Sequence, residues 1–136
     1  MREIKFRCWH KGYDYPEVKK PIAPKMFYDD KPGDCLNYLA MGQPVEIMQF
    51  TGLHDKNGKE IWEGDVLAGF GGFKTVVRHG ITAGYHAATI NVGFYLENGG
   101  RDYAFSSEHG RIEVLGNIYE NPDLLPTPQT LNGKEA

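Results

Sequence analysis

The segment FTGLHDKNGKEIWEGDVL, Phe50–Leu67, decides how this chain folds. At its centre Asp55 opens a four-residue turn and Gly58 closes it, because aspartate favours the first position of a turn and glycine adopts the left-handed backbone conformation. Apolar residues precede and follow this turn. The order predicts a bulged β-hairpin in which the Asp55–Gly58 turn reverses the chain.

The same four residues, DKNG, superficially resemble part of a calcium-binding loop. An EF-hand loop needs oxygen ligands at its first and twelfth positions and glycine at its sixth. With Gly58 as that glycine, the two ligand positions fall on Leu53 and Gly64, and neither residue can bind a metal through its side chain. The sequence therefore favours a structural turn over a calcium site.

Glu63-Gly64-Asp65 places two acids one residue apart, which raises the question of paired carboxylates in catalysis. Two carboxylates can share general acid and base work when they face one cleft. The structural alternative is a corner where Gly64 allows a bend and Asp65 accepts bonds from backbone N–H groups. We expect the corner. An enzyme would need a pocket that joins Asp65, Glu63 and a histidine with a perturbed pKa.

Other sequence motifs for chemistry fail on their spacing. The glycine-rich segment 68–73 has neither the final Lys-Ser/Thr of a P-loop nor the G-x-G-x-x-G spacing. Segment 105–110 contains serines and a histidine without a nucleophile-elbow pattern, and the five histidines form no H-x-x-x-H pair. We expect no catalytic residue, no metal site and no cofactor. Phe70 and Phe73, at a predicted hairpin tip, are candidate partner contacts.

Short strand-like segments separated by glycine turns predict a mainly β protein. Asn98-Gly99-Gly100 is the clearest hairpin turn. Segment 34–42 is predicted to form a short helical turn, with Asp34 as its N-cap and with Leu36, Leu39 and Ala40 on one face, although it is short enough to be a loop instead. Asn121 is predicted to cap a final helical turn. The predicted strands are 2–9, 25–29, 44–52, 59–70 with a bend at Gly64, 73–80, 87–98, 101–107 and 111–120. The first two are predicted to pair with each other as a hairpin.

Charge is distributed unevenly along the chain. The net charge is −3, but residues 1–25 carry +4 and residues 26–136 carry −7. This pattern fits solvated faces or two lobes that attract each other. It also allows a local nucleic-acid-binding patch in the N-terminal lobe. The candidate residues for that patch are Lys5, Arg7, Lys19 and Lys20.

The N-terminal MREIKFRCWH is charged and lacks the apolar core of a signal peptide. The sequence contains no apolar run of the roughly 18 residues that a membrane helix needs. We therefore expect no membrane segment, and we interpret Cys8 and Cys35 as reduced thiols in a cytoplasm.

Four blocks, in order along the chain, resemble the YopX family of phage and prophage proteins: MREIKFRCW, KMFY, EIMQFTGLHDKNGKEIWEGDVL and EVLGNIYENPDLL. The resemblance implies a mainly β protein whose C-terminal part is an SH3-like barrel, encoded by a mobile element and expressed in a bacterial cytoplasm. It supplies no catalytic residue or ligand to carry over. The blocks contain residues that we interpret as fold determinants: Thr51, Gly52, Leu53, Asp55, Gly58, Gly64, Asp65, Gly116 and Asn117.

These observations predict an N-terminal β lobe over 1–50 packed on an SH3-like barrel over 51–125, followed by a flexible tail over 126–136. We expect a non-enzymatic module that binds a host or phage protein. The alternatives are binding of DNA or RNA through the basic N-terminal lobe, an enzyme, a purely structural role, and self-assembly through edge strands.

Overall fold

The computed structural model describes residues 3–13, 21–70, 73–83, 90–98, 101–104 and 111–125. Within these ranges the chain forms nine β-strands and one α-helix, so the predicted mainly β class is confirmed. The elements are β1 (Phe6–His10), β2 (Lys25–Tyr28), α1 (Asp34–Ala40), β3 (Val45–His54), β4 (Glu60–Trp62), β5 (Asp65–Phe70), β6 (Phe73–Ala83), β7 (Ile90–Asn98), β8 (Arg101–Ala104), β9 (Glu113–Asn117) and the 3-10 turn Pro122–Leu124.

The chain divides into two compact units, an N-terminal unit Met1–Phe50 and a C-terminal unit Thr51–Ala136. In the N-terminal unit the strands form an antiparallel sheet in the order β2-β1-β3. In the C-terminal unit the order is β8-β7-β6-β5-β9, and β4 pairs with the end of β3. The SH3-like barrel and the predicted lobe boundaries stay predictions, and the tail from residue 126 lies outside the described residues.

The N-terminal unit is built on the hairpin of β1 and β2, in which Cys8 faces Phe27 across the ladder. This pairing confirms the predicted hairpin, and an isolated bridge between Tyr13 and Ile22 continues its register. The apolar side of the sheet forms a small core under α1. Its buried members are Cys8, Cys35 and Val45, with Phe6, Phe27, Tyr38 and Ile47 packed against them.

α1 begins after its N-cap residue, Gly33, which has a φ of 91°. The predicted cap, Asp34, is wrong, because its carboxylate faces the preceding turn and accepts the N–H groups of Asp30 and Lys31 at 3.2 and 2.8 Å. The helix buries Cys35. Its predicted shared face of Leu36, Leu39 and Ala40 is exposed to solvent.

The core of the C-terminal unit consists of Ile61, Leu67, Val77, Leu96 and Ile112. Each such side chain, when fully buried, stabilises the fold by roughly 1.5–3 kcal/mol. The bend at Gly64 is sharper than predicted. Instead of one kinked strand over 59–70, a Glu63-Gly64 turn separates β4 from β5, and Gly64 has a φ of 88°.

β6 and β7 form the longest hairpin of the C-terminal unit, and β8 folds back on β7. Asn98 pairs with Arg101 at the end of that ladder. The pairing leaves a two-residue connection, so it supports the predicted hairpin at Asn98-Gly99-Gly100. Gly99 and Gly100 themselves lie outside the described residues.

Candidate functional site

The Asp55 carboxylate, which is only 6% exposed, accepts three backbone hydrogen bonds. Its Oδ1 accepts the N–H groups of Asn57 and Lys59 at 2.8 and 2.9 Å. Its Oδ2 accepts the N–H of Val114, 59 positions further along the chain, at 2.9 Å. Gly58, with a φ of 81°, donates its N–H to the carbonyl of Asp55. One side chain thus closes the turn and covers the edge of β9.

These bonds also set the charge of Asp55. Burial raises the pKa of the carboxyl, but the hydrogen bonds from the amides of Val114, Lys59 and Asn57 outweigh burial. The charge of Lys59 acts in the same direction, and the pKa of Asp55 lies below its ordinary value of 3.8. A carboxylate held ionised by backbone donors suits a structural anchor better than an acid catalyst.

Asp65 is also buried, and its Oδ2 accepts the N–H of Trp62 at 2.8 Å across the Glu63-Gly64 turn. Thr51 has a similar local role. Its Oγ1 donates to the carbonyl of Ile61 at 2.7 Å and accepts the N–H of Leu53 at 3.1 Å. Thr51 therefore links β3 to β4, and Asp65 links β5 to β4, through side-chain hydrogen bonds.

Asn117 organises the turn after β9. Its Oδ1 accepts the N–H groups of Tyr119 and Glu120 at 3.0 and 2.8 Å, and its Nδ2 donates to the Glu120 carboxylate at 2.7 Å. Asn121 makes no side-chain cap, contrary to the prediction, because its Oδ1 accepts the N–H of Asn117 instead. That oxygen lies so close to Gly116 that a Cβ there would collide with it.

Cys8 and Cys35 are both free and fully buried, and the Sγ of Cys35 donates to the carbonyls of Phe6 and Phe27 at 3.7 Å. Burial, followed by the neighbouring Cys8 thiol and the Asp29 carboxylate, raises the pKa of the Cys35 thiol. Asp29 in turn accepts the backbone N–H of Cys35 at 2.9 Å, which fixes the start of α1. Thiols that stay protonated out of contact with water are structural rather than nucleophilic.

The predicted basic residues are engaged in different ways. Arg7 is only 3% exposed, with its guanidinium 6.0 Å from the Tyr28 ring and its Nη1 3.5 Å from the Tyr28 hydroxyl. Lys5 contacts Glu3 at 3.4 Å and lies over the Phe50 ring. Arg7 is therefore almost fully out of contact with solvent. The four-residue nucleic-acid site stays a prediction, and its other members, Lys19 and Lys20, lie outside the described residues.

Phe70 and Phe73 face each other in the register of β5 and β6, at the end of that hairpin. Their side chains lie outside the described part of the structure, so their predicted role as partner contacts stays a prediction.

The clearest surface feature is apolar, and sequence reasoning did not identify it as functional. Leu36, Leu39 and Met41 are 43, 51 and 64% exposed, and Ala40 between them is exposed as well. We call these four residues the α1 ridge. The signal was present in the spacing of Leu36, Leu39 and Ala40, but spacing alone gives a shared face and not the direction in which it points.

Among the described residues, no three His, Cys, Asp or Glu side chains are placed to hold a metal ion. None of the helices in that part of the chain has the length and apolar character needed to cross a membrane.

Comparison with known proteins identifies the family. A family model described as YopX protein matches residues 5–126. Among solved structures, the chain is similar to protein EF1440 from Enterococcus faecalis, with 23% identity, a TM-score of 0.40, and coverage of 92% of this chain and 99% of that one. No curated protein matches. Because the YopX family model matches most of the length of this chain, the chain belongs to the YopX family.

Proposed function

We propose that this protein is a phage- or prophage-encoded, non-enzymatic module that binds another protein in the bacterial cytoplasm. The observation that carries the proposal is the α1 ridge, where Leu36 and Leu39, three residues apart on one side of the helix, are both exposed. Scattered apolar residues are ordinary on a protein surface, but a contiguous group commonly marks an interaction site.

The buried carboxylates of Asp55 and Asp65 support a non-enzymatic role. Asp55 and Asp65 both accept backbone N–H groups, and the pKa of Asp55 is lowered. A general acid or base at neutral pH needs a pKa shifted toward the working pH, which for a carboxyl is an upward shift. Asp55 is shifted in the opposite direction.

A second candidate surface is the end of the β5–β6 hairpin, where Phe70 and Phe73 are paired in the ladder. Aromatic residues at a hairpin end are suitable anchors for a protein partner, because they contribute large apolar area with few rotatable bonds. We keep these two residues as part of the proposed interaction surface.

The alternative function is binding of DNA or RNA, which the net charge of +4 in residues 1–25 favours. The described contacts weaken this candidate, because Lys5 and Lys11 each pair with a glutamate and Arg7 is buried. A nucleic-acid complex would lose affinity steeply with added salt, since binding releases counterions.

The test is capture of partners by tagged full-length protein from a bacterial host lysate, with and without nuclease. A specific protein recovered equally after nuclease supports the interaction module. Capture by a variant with glutamine at Leu36 and Leu39 tests the α1 ridge. The matched control is Leu125→Gln, which changes an exposed leucine of the C-terminal unit.

Capture that disappears with nuclease, and that a combined Lys5→Ala, Lys19→Ala and Lys20→Ala variant also loses, would contradict the proposal in favour of nucleic acid. Recovery of no specific protein at all would also contradict it.

A further inference from the structure

We infer that Cys8 and Cys35 form a dithiol site that a low-molecular-weight disulfide, such as oxidised glutathione, converts to an intramolecular disulfide when α1 opens. The site lies between β1 and the buried side of α1. Disulfide formation there concerns a different side of the helix from the α1 ridge, so it does not depend on whether the ridge binds a partner.

Two backbone carbonyls fix the position of the Cys35 sulfur over the β1–β2 hairpin. The Sγ donates to the carbonyls of Phe6 and Phe27, each at 3.7 Å. Phe6 lies two residues before Cys8 on β1, and Phe27 faces Cys8 in the register of the ladder. The Cys35 sulfur therefore lies above the part of the ladder that contains Cys8.

The Cys8 side chain points into the same space. Phe6 and Cys8 alternate on β1, so they share one face of the sheet. Both thiols have no exposed area and belong to one core cluster, against which Phe6 also packs. The Cys8 thiol is near enough to Cys35 to raise the pKa of that thiol. A disulfide needs two side chains that point toward each other across a short gap, and this arrangement supplies them.

Pairing of the two sulfurs fits the site better than metal binding. Thiolates are ligands for soft metal ions, which in structural sites are held by four protein ligands. Within the described ranges, no third His, Cys, Asp or Glu is placed to complete such a site with the two cysteines. A bond between the sulfurs needs no further ligand.

Access to the thiols requires opening of α1. Burial raises the pKa of both thiols, so in the closed structure they do not react. The helix has seven residues and buries only Cys35. Its start is held by Asp29, whose carboxylate accepts the N–H groups of Cys35 and Phe6 at 2.9 and 3.2 Å. A short helix with one buried side chain opens at a lower free energy than the rest of a fold.

The reaction balances with one molecule of oxidised glutathione. In the open state one thiol loses its proton to water, and the thiolate attacks the small disulfide, which forms a mixed disulfide and releases one glutathione. Closure of α1 brings the second cysteine to the mixed disulfide. Its thiolate attacks the protein sulfur and releases the second glutathione, so two protein thiols are oxidised and one small disulfide is reduced.

The experiment incubates reduced full-length protein with oxidised glutathione under native conditions. The remaining thiols are then alkylated in denaturant, and mass spectrometry measures the intact protein and the proteolytic fragments that contain Cys8 and Cys35. Cys8→Ser leaves Cys35 without its partner. Asp29→Ala removes the acceptor at the start of α1, and Asp30→Ala, which changes an exposed carboxylate at the next position, is the matched control. Circular dichroism verifies that each variant is folded.

We expect wild-type protein to lose both free thiols without gaining glutathione, and its two cysteine fragments to be linked. Cys8→Ser should instead keep a glutathione adduct on Cys35. Asp29→Ala should be oxidised at least about threefold faster than Asp30→Ala, because its helix opens more often. Oxidised wild-type protein should have a higher urea midpoint than reduced protein, because the bond restrains the unfolded chain.

Several outcomes would overturn the inference. They are a stable glutathione adduct on wild-type protein, a disulfide between two chains, and thiols that stay reduced in folded wild-type protein. Equal oxidation rates of Asp29→Ala and Asp30→Ala would overturn the route through opening of α1. The fragment linkage is measured on wild-type protein, so it decides the pairing even if Cys8→Ser does not fold.

Discussion

The Asp55–Gly58 turn and α1 are both short connections between strands, but they use their side chains in opposite ways. In the turn, a charged carboxylate points inward and accepts three backbone N–H groups. In α1, a cysteine is buried while Leu36, Leu39 and Met41 are exposed. The turn satisfies its own polar groups, whereas the helix leaves its largest apolar side chains in water.

In the turn, the conformational preferences of aspartate and glycine match the positions that these residues occupy. In α1, the preference of apolar side chains for burial does not match their exposure, because burial of the leucines would stabilise the fold more than burial of a thiol. Such disagreement is expected at functional positions, because natural sequences are otherwise consistent from local structure to core. The difference supports a structural role for the turn and the proposed interaction role for the helix.

Removal of the Asp55 carboxylate gives the largest expected effect. Asp55→Ala leaves three backbone N–H groups without their acceptor and should lower the free energy of unfolding by about 3 kcal/mol. Urea denaturation followed by tryptophan fluorescence measures it, with the exposed Asp30→Ala as the control. A loss no larger than that of Asp30→Ala would remove the structural assignment of the turn.

The same carboxylate predicts acid sensitivity. Because the folded pKa of Asp55 is lowered below 3.8, its stabilisation is complete above that pH and is lost as the pH falls through the folded value. Urea midpoints of wild-type protein should therefore fall below about pH 4 more steeply than those of Asp55→Ala. Parallel profiles of urea midpoint against pH for the two proteins would show that the amide donors do not stabilise the ionised Asp55 carboxylate in the folded protein.

Within α1, truncation of a cysteine should destabilise the fold more than truncation of a leucine, which is the reverse of the usual order. Cys35→Ala removes one buried sulfur and should cost roughly 1.5 kcal/mol, because it leaves a small cavity under the helix. Leu39→Ala removes more atoms but from an exposed position, so it should change stability by less than about 0.5 kcal/mol. Thermal unfolding of both variants checks the order. A larger loss for Leu39→Ala would mean that the ridge is part of the core.

Alanine in place of one glycine from each region should have an equal effect in the two regions, smaller than that of Cys35→Ala. Gly33 before α1 and Gly58 in the turn have φ values of 91° and 81°, and a Cβ at either position would meet no atom within 4 Å. Alanine at each should therefore cost about 1 kcal/mol through backbone strain alone. Denaturation of the two variants measures their losses in free energy of unfolding. Losses that differ severalfold would show that the added methyl group collides with a neighbour at one of the two positions.

Much of the fold follows from local patterns. The hairpin of β1 and β2, strand β3, the Asp55–Gly58 turn and the connection from β7 to β8 are each specified by alternation or by turn residues close in sequence. Asp65 was expected to accept backbone N–H bonds, and it accepts that of Trp62 three positions away. These features depend on neighbours that a sequence displays directly.

The remaining features depend on distant contacts. The bond from Asp55 to Val114 joins residues 59 positions apart. The rotation of α1 is set by Asp29 and by packing of Cys35 and Tyr38, so helical spacing could not tell which side faces the sheet. Arg7 alternates like a surface residue but is buried beside Tyr28.

The most direct test of an interaction role for α1 is nuclease-treated capture by wild-type protein and by the Leu36→Gln, Leu39→Gln variant, with equal amounts of folded protein. Partner recovery should fall at least about tenfold in the variant while its unfolding midpoint is unchanged. Equal recovery by both proteins would contradict the assignment of interaction to α1.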